Sequence, residues 1–129
     1  MRICFVLTSL LSSLCLSPYA FADWTQVGFP GDGKKGGYYI DLTRIKTHHG
    51  LKYVWALIDY GETVSDGSSS AISYQKWDCE LSRFEYEQVS FYAEPMGEKH
   101  KNTFDPNQGW EYPPPNSMLE GVMNTVCER

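Results

Sequence analysis

Hydrophobic and polar positions recur with a period of two through the middle of the chain, which predicts a series of β-strands. The strongest signal is residues 51–60, where odd and even positions alike are apolar. One set consists of Tyr53, Trp55 and Leu57, and the other of Val54, Ala56 and Ile58. A strand with two apolar faces is typical of the middle of a sheet, covered on both sides by its own chain or on one side by a partner molecule.

Two neighbouring stretches are also predicted to be strands. Residues 38–42 are short and rich in aromatic and β-branched side chains, and His48-His49-Gly50 marks a turn before residues 51–60. Residues 71–80 alternate over their whole length. One face holds Ser73, Gln75, Trp77 and Cys79, and the other holds Ile72, Tyr74, Lys76 and Asp78.

A fourth stretch, residues 84–92, is a strand whose apolar phase changes part-way. Phe84 and Tyr86 would lie on one face, and Val89 and Phe91 on the other. The slip falls near Gln88, and either a β-bulge or a short break in the strand produces such a slip.

The C-terminal part of the chain predicts a helix that begins after a run of prolines. Ser117 followed by Glu120 is a capping-box pattern. Apolar residues then recur at helical spacing, giving one face formed by Met118, Leu119, Val122, Met123 and Val126. The predicted fold class is therefore α+β, an antiparallel β-sheet packed against a C-terminal α-helix.

Three segments between these elements are predicted to be loops. Residues 31–37 carry four glycines and no apolar side chain, so we expect regular structure to begin after them. Residues 61–70 are rich in Gly, Ser, Asp and Thr. Residues 95–115 are poor in aliphatic side chains and should follow the surface, with Trp110 and Tyr112 as anchors.

The N-terminus has the features of an export signal. Arg2 supplies the basic start, residues 3–16 the apolar run, and Ala20-Phe21-Ala22 the small residues that a signal peptidase recognises. We predict a signal peptide over residues 1–22, cleavage between Ala22 and Asp23, and a single domain over residues 23–129. No later stretch approaches the roughly 20 apolar residues of a membrane span.

The cysteines support an oxidising destination. Cys4 and Cys15 lie in the predicted signal, and Leu14 is not the small residue that precedes a lipid-modified cysteine. Only Cys79 and Cys127 then remain, so we expect them to form one disulfide that fixes the helix to the sheet.

Charge and residue chemistry exclude several classes of function. Once Arg2 has left with the signal, 10 Lys and Arg remain against 16 Asp and Glu, which disfavours nucleic acid and anionic lipid as partners. His48, His49 and His100 lie in no nucleophile motif, and adjacent histidines on an extended segment would point apart. No spacing of ligand-type residues predicts a metal site or a cofactor site. We therefore expect that the protein is not an enzyme.

Aromatic residues are abundant, with four Trp, nine Tyr and six Phe in the chain. Trp55 and Trp77 are predicted to be core residues. Any aromatic side chains that remain at the surface would form a binding patch for a protein partner, because Tyr and Trp are enriched at contact hot spots. The sequence alone does not divide the core aromatics from the surface ones. The candidate partner-binding residues are Trp110, Tyr112, Tyr53 and Tyr74.

The order and spacing of residues along the mature chain resemble the surface-adhesin protein E family of Gram-negative bacteria. The matching positions are Trp24, Tyr39-Ile40-Asp41, Ile45, Val54-Trp55, Leu57, Asp59-Tyr60, Ser73, Asp78-Cys79, Arg83, Tyr92, Gly97, Trp110, Pro115-Asn116-Ser117 and Cys127. The resemblance implies a small α+β module and a dimer-forming surface protein that binds host proteins of the extracellular matrix.

The expected function is thus an exported, adhesin-like, non-enzymatic module that binds a protein partner, in the periplasm or at the cell surface of a Gram-negative bacterium. The alternative is a periplasmic inhibitor or chaperone-like protein that caps an envelope enzyme or component. The doubly apolar residues 51–60 also predict a homodimer, because a second copy would cover the sheet face that one helix leaves open.

Overall fold

The regular elements of the chain are seven strands and one α-helix within residues 22–31 and 33–129, the part that the computed structural model describes. The strands are β1 (Trp24–Gly28), β2 (Gly37–Asp41), β3 (Lys46–His48), β4 (Leu51–Asp59), β5 (Ser70–Asp78), β6 (Arg83–Tyr92) and β7 (His100–Phe104). The helix is α1 (Met118–Cys127). Apart from Ala22, the predicted signal peptide lies outside the described residues.

All strand pairs in the described chain are antiparallel, and they join in the order β1-β2-β4-β5-β6-β7, with β3 also paired to β4. The doubly apolar β4 is an inner strand, as its pattern predicted. β3 joins β4 through His49 and Gly50, whose φ angles are both positive, at 50° and 76°. Such a two-residue turn matches the twist of the strands that it connects.

The helix covers one face of the sheet and encloses the core. It begins as predicted, because the backbone N–H of Glu120 donates to Ser117 Oγ at 3.2 Å. The fully buried apolar side chains of this layer are Tyr38, Ile40, Val54, Ala56, Trp77, Phe84, Val122 and Val126. The predicted fold class, an antiparallel sheet with a C-terminal helix, is therefore confirmed.

A hydrogen-bonded amide lies inside this core. Gln75 is fully buried, and its Nε2 donates to the Tyr38 hydroxyl and to Ser73 Oγ, both at 2.9 Å. Its Oε1 accepts from Trp77 Nε1 at 3.0 Å. Burial raises the pKa of the Tyr38 phenol far above its ordinary value, so the hydroxyl stays neutral. The polar atoms at the centre of the core are thereby satisfied.

The disulfide fixes the end of the helix to the sheet. Cys79, directly after β5, is bonded to Cys127, the last residue of α1, with Cα atoms 5.7 Å apart. The predicted pairing is confirmed.

A β-bulge produces the change in the apolar pattern along β6. Gln88 lies opposite Tyr74 and Tyr86 lies opposite Gln75, which leaves Glu87 as the extra residue. The prediction that Val89 and Phe91 lie on the other face from Phe84 and Tyr86 is wrong. The bulge returns them to the same face, since they lie opposite Ser73 and Ala71 just as Phe84 lies opposite Trp77.

The two outermost strands of the sheet were not predicted. β1 precedes the glycine-rich loop, where we expected no regular structure, and β7 lies inside residues 95–115, which were predicted to be loop throughout. Every residue of β7 is exposed. β1 is partly buried, with Val27 packed against the core, and Phe104 of β7 stacks on Phe91. Neither strand has a regular apolar alternation, so neither gives a period-two signal in the sequence.

The face opposite α1, here called the outer face, is covered only in part. A 3₁₀ turn at Pro95–Gly97 packs over Leu57 and Ile72, and a Cβ added to Gly97 would lie 2.7 Å from Ile72 Cδ1. Leu57 is consequently fully buried. Trp55, predicted to be a core residue, lies half-buried on this face, because the turn does not extend over all of it.

Candidate functional site

Three aromatic rings form a row on the outer face. Trp55 lies directly opposite Tyr74 on the neighbouring strand, and their ring centroids are 4.6 Å apart. Tyr53 continues the row, with its ring centroid 5.8 Å from that of Tyr74. Residues that share a face of neighbouring strands contact one another, so the alternation of β4 and β5 builds the row. All three side chains are half-buried.

An open groove of about 620 Å³ runs beside this row. It is lined by Lys46, Thr47, His48, Tyr53 and Tyr74. The sequence did not indicate that β3 lines this groove. β3 lies beside the groove because Lys46 pairs with Tyr53 of β4. Open grooves of this kind suit an extended segment of another molecule.

Trp110 extends the same surface beyond β6. The backbone groups of Glu111 and Phe84 bond reciprocally, at 2.9 Å and 2.7 Å, which holds this part of the long loop against the sheet edge. Lys76 Nζ then lies 5.0 Å and Arg83 Cζ lies 4.2 Å from the Trp110 ring centroid. Both distances are typical of cation–π contacts.

Lys76 links the two halves of the surface, since it lies directly opposite Tyr53. Three of the four predicted partner-binding residues, Tyr53, Tyr74 and Trp110, are therefore brought together around one lysine. The fourth, Tyr112, is 64% exposed and interacts with Arg83. We call Tyr53, Trp55, Tyr74 and Trp110 the aromatic face.

Two cations beside the aromatic face, Lys76 and Arg83, are paired with carboxylates. Lys76 Nζ lies 3.0 Å from Glu87 and 3.7 Å from Glu85, and Arg83 Nε lies 3.0 Å from Asp78. The hydrogen bond to Glu87 raises the pKa of Lys76, which keeps it charged. The pairing holds Lys76 and Arg83 beside the Trp110 ring and offsets their charge, while Lys46 also lines the groove.

The histidines differ from their prediction. His48 and His49 were expected to point apart, yet their ring centroids are 4.0 Å apart. The reason is that His49 has left-handed backbone angles in the turn instead of extending the strand. Among the described residues, no group of three or more His, Cys, Asp or Glu side chains is arranged to hold a metal.

Comparison with known families decides the relationship. The model of the family described as surface-adhesin protein E matches residues 24–128. The chain belongs to the surface-adhesin protein E family. This family is one of adhesins and not of enzymes, and it makes the chain an adhesin-like surface protein.

Solved structures of Haemophilus influenzae protein E have the same fold as this chain. Crystal form II is 16% identical with a TM-score of 0.57, and the match covers 70% of this chain and 80% of that one. Protein E from non-typeable H. influenzae is 14% identical with a TM-score of 0.58, covering 87% and 80%. Comparison with curated protein sequences found no match. No helix in the described part of the chain is long and apolar enough to cross a membrane.

Proposed function

We propose that this protein is an exported, non-enzymatic module of the bacterial envelope that binds a protein partner through the aromatic face. The observation that carries the proposal is the convergence of Tyr53, Tyr74 and Trp110, from three separate parts of the chain, on one side of the sheet. Tyrosine, tryptophan and arginine dominate the binding energy of protein interfaces.

The setting of these side chains favours tight contact. Tyr53 and Tyr74 pack on each other, and Trp110 lies against the guanidinium of Arg83. Rings that are already held in place lose little conformational freedom when a partner binds. Their phenol and indole groups can also donate hydrogen bonds at the rim of a contact.

A protein partner fits this surface better than a polyanion, because Lys76 and Arg83 already have carboxylate neighbours. Host extracellular-matrix proteins are the proposed partner class, in keeping with membership of an adhesin family. The alternative role, capping an envelope enzyme or component in the periplasm, would use the same face.

The variant Tyr53→Ser/Tyr74→Ser should reduce binding to immobilised, cell-free extracellular matrix at least tenfold, because truncation of a hot-spot residue, a class enriched in tyrosine, costs about 2 kcal/mol or more. Surface plasmon resonance gives the affinity. Phe29→Ser is the matched control, because Phe29 is also partly exposed but does not line the groove. Equal loss in both variants, or none in either, would contradict the role of this face. Retention of periplasmic proteins by the wild type, without matrix binding, would favour the alternative.

Self-association is a competing use of the aromatic face, because a second copy would occupy the rings that another protein would contact. A symmetric homodimer would cover Tyr53, Trp55 and Tyr74 without any further chain. Analytical ultracentrifugation at micromolar concentration should give twice the monomer mass for the wild type, and the monomer mass for Tyr53→Ser/Tyr74→Ser. A wild type that stays monomeric at every accessible concentration would rule the dimer out and leave the face to a different partner.

A further inference from the structure

The predicted start of the mature chain lies beside a buried carboxylate. The backbone N–H of Asp23 donates to Asp41 Oδ2 at 3.3 Å. Asp41 itself is fully buried. Its Oδ1 accepts from the backbone N–H and from the hydroxyl of Thr43, at 3.1 Å and 2.6 Å. Arg44 Nε lies 3.3 Å from Oδ2, on a side chain that is 40% exposed.

We propose that cleavage between Ala22 and Asp23 creates an α-ammonium group that forms an ion pair with Asp41 and so completes the folded mature domain. The proposal goes beyond the binding function and rests on the predicted cleavage position. The stability of the fold would then depend on processing, because the Asp41 carboxylate forms an ion pair with a free N-terminus and not with the neutral amide of an uncleaved chain.

Hydrolysis changes the chemistry of this contact at a single atom. Before cleavage, the nitrogen of Asp23 is a neutral amide with one proton. Water then supplies the second oxygen of the Ala22 carboxylate, which leaves with the signal. Both protons of that water go to the Asp23 nitrogen, which becomes an ammonium group. With an ordinary pKa of about 7.7–8.0, that amine is mostly protonated near neutral pH. An ammonium has three donors and a full charge, and its bonds to a carboxylate shorten to about 2.7–2.9 Å.

The position of the cleavage matters because the contact is local. A buried carboxylate destabilises the fold unless charges and hydrogen bonds compensate it. Each residue left in front of Asp23 moves the ammonium by about 3.8 Å along the chain. Cleavage also removes Ala22 from a cavity of about 240 Å³, whose other lining residues include Trp24, Trp55, Ile72 and Tyr92. The mature form would therefore have a wider opening beside Trp55 of the aromatic face.

The test compares two forms of the oxidised protein, one beginning at Asp23 and one with a Gly-Ser pair ahead of Ala22. The form that begins at Asp23 should have a Tm higher by about 4 °C or more at pH 6. Asp41→Asn should abolish this difference, since it removes the charge and keeps the shape. Equal Tm values for the two wild-type forms would overturn the proposal, as would a difference that persists in Asp41→Asn.

A second measurement keeps the test decisive if Asp41→Asn fails to fold. An amine-reactive acetylating reagent at pH 7 should modify the Asp23 amine of the folded protein at least tenfold more slowly than the same amine in a peptide of the first ten mature residues. Equal rates would overturn the proposal. N-terminal sequencing of the protein from its native host should begin at Asp23, and a different first residue would also overturn it.

Discussion

Trp77→Ala is expected to lower the free energy of unfolding by about 3–5 kcal/mol, a large part of the 5–15 kcal/mol that stabilises an ordinary domain. Trp77 is fully buried, and its ring stacks on Phe84 with centroids 4.6 Å apart. Its indole N–H donates to Gln75. Alanine would leave a cavity between sheet and helix and an unsatisfied amide oxygen in the core.

Urea denaturation followed by circular dichroism measures this loss. Trp77→Phe should cost less, because it keeps most of the packing and removes only the donor to Gln75. Trp55→Ala is the matched control, a tryptophan of the neighbouring strand that is half-buried on the outer face. If Trp55→Ala destabilised the domain as much as Trp77→Ala, the assignment of the core to the helix side would be wrong.

Removing the disulfide is expected to cost about 4 kcal/mol in the chain-entropy model, because the bonded cysteines are 48 residues apart. The variant is Cys79→Ala/Cys127→Ala. Replacing both cysteines leaves neither of them as a free thiol, and alanine, unlike serine, adds no hydroxyl group at these positions. The unfolded chain then gains the freedom that the bond had removed, and α1 loses its covalent attachment to the sheet.

Differential scanning calorimetry with and without dithiothreitol tests this expectation. The reductant should lower the Tm of the wild type to near that of the double variant and leave the variant unchanged. A double variant as stable as the oxidised wild type would show that packing of α1 alone holds the helix in place.

The elements predicted from the sequence are those whose signals are local. β4 is a nine-residue run that is apolar on both faces, β5 alternates over nine residues, and the cap of α1 depends on two residues three positions apart. Tyr53 and Tyr74 were predicted as candidate binding residues from the abundance of aromatic side chains. Their contact requires only that β4 and β5 are neighbours in the sheet.

Features that depend on distant pairing were not predictable in this way. The position of Trp110 follows from the bridge between Glu111 and Phe84, which no local pattern indicates. The side of Val89 depends on where β6 bulges against β5. β7 has no apolar alternation at all, since the edge of a sheet can be occupied by a polar strand.

The strand order has a consequence for how the molecule assembles. From β3 to β7 each strand pairs with the one before it, so these contacts join segments close in sequence and the search for them should be fast. Docking of α1 joins segments far apart, because it buries Val122 and Val126 against strands as early as β2. We therefore expect the meander from β3 to β7 to form first and α1 to dock on it afterwards. Oxidation of Cys79 and Cys127 would then bond the helix to a sheet that has already formed.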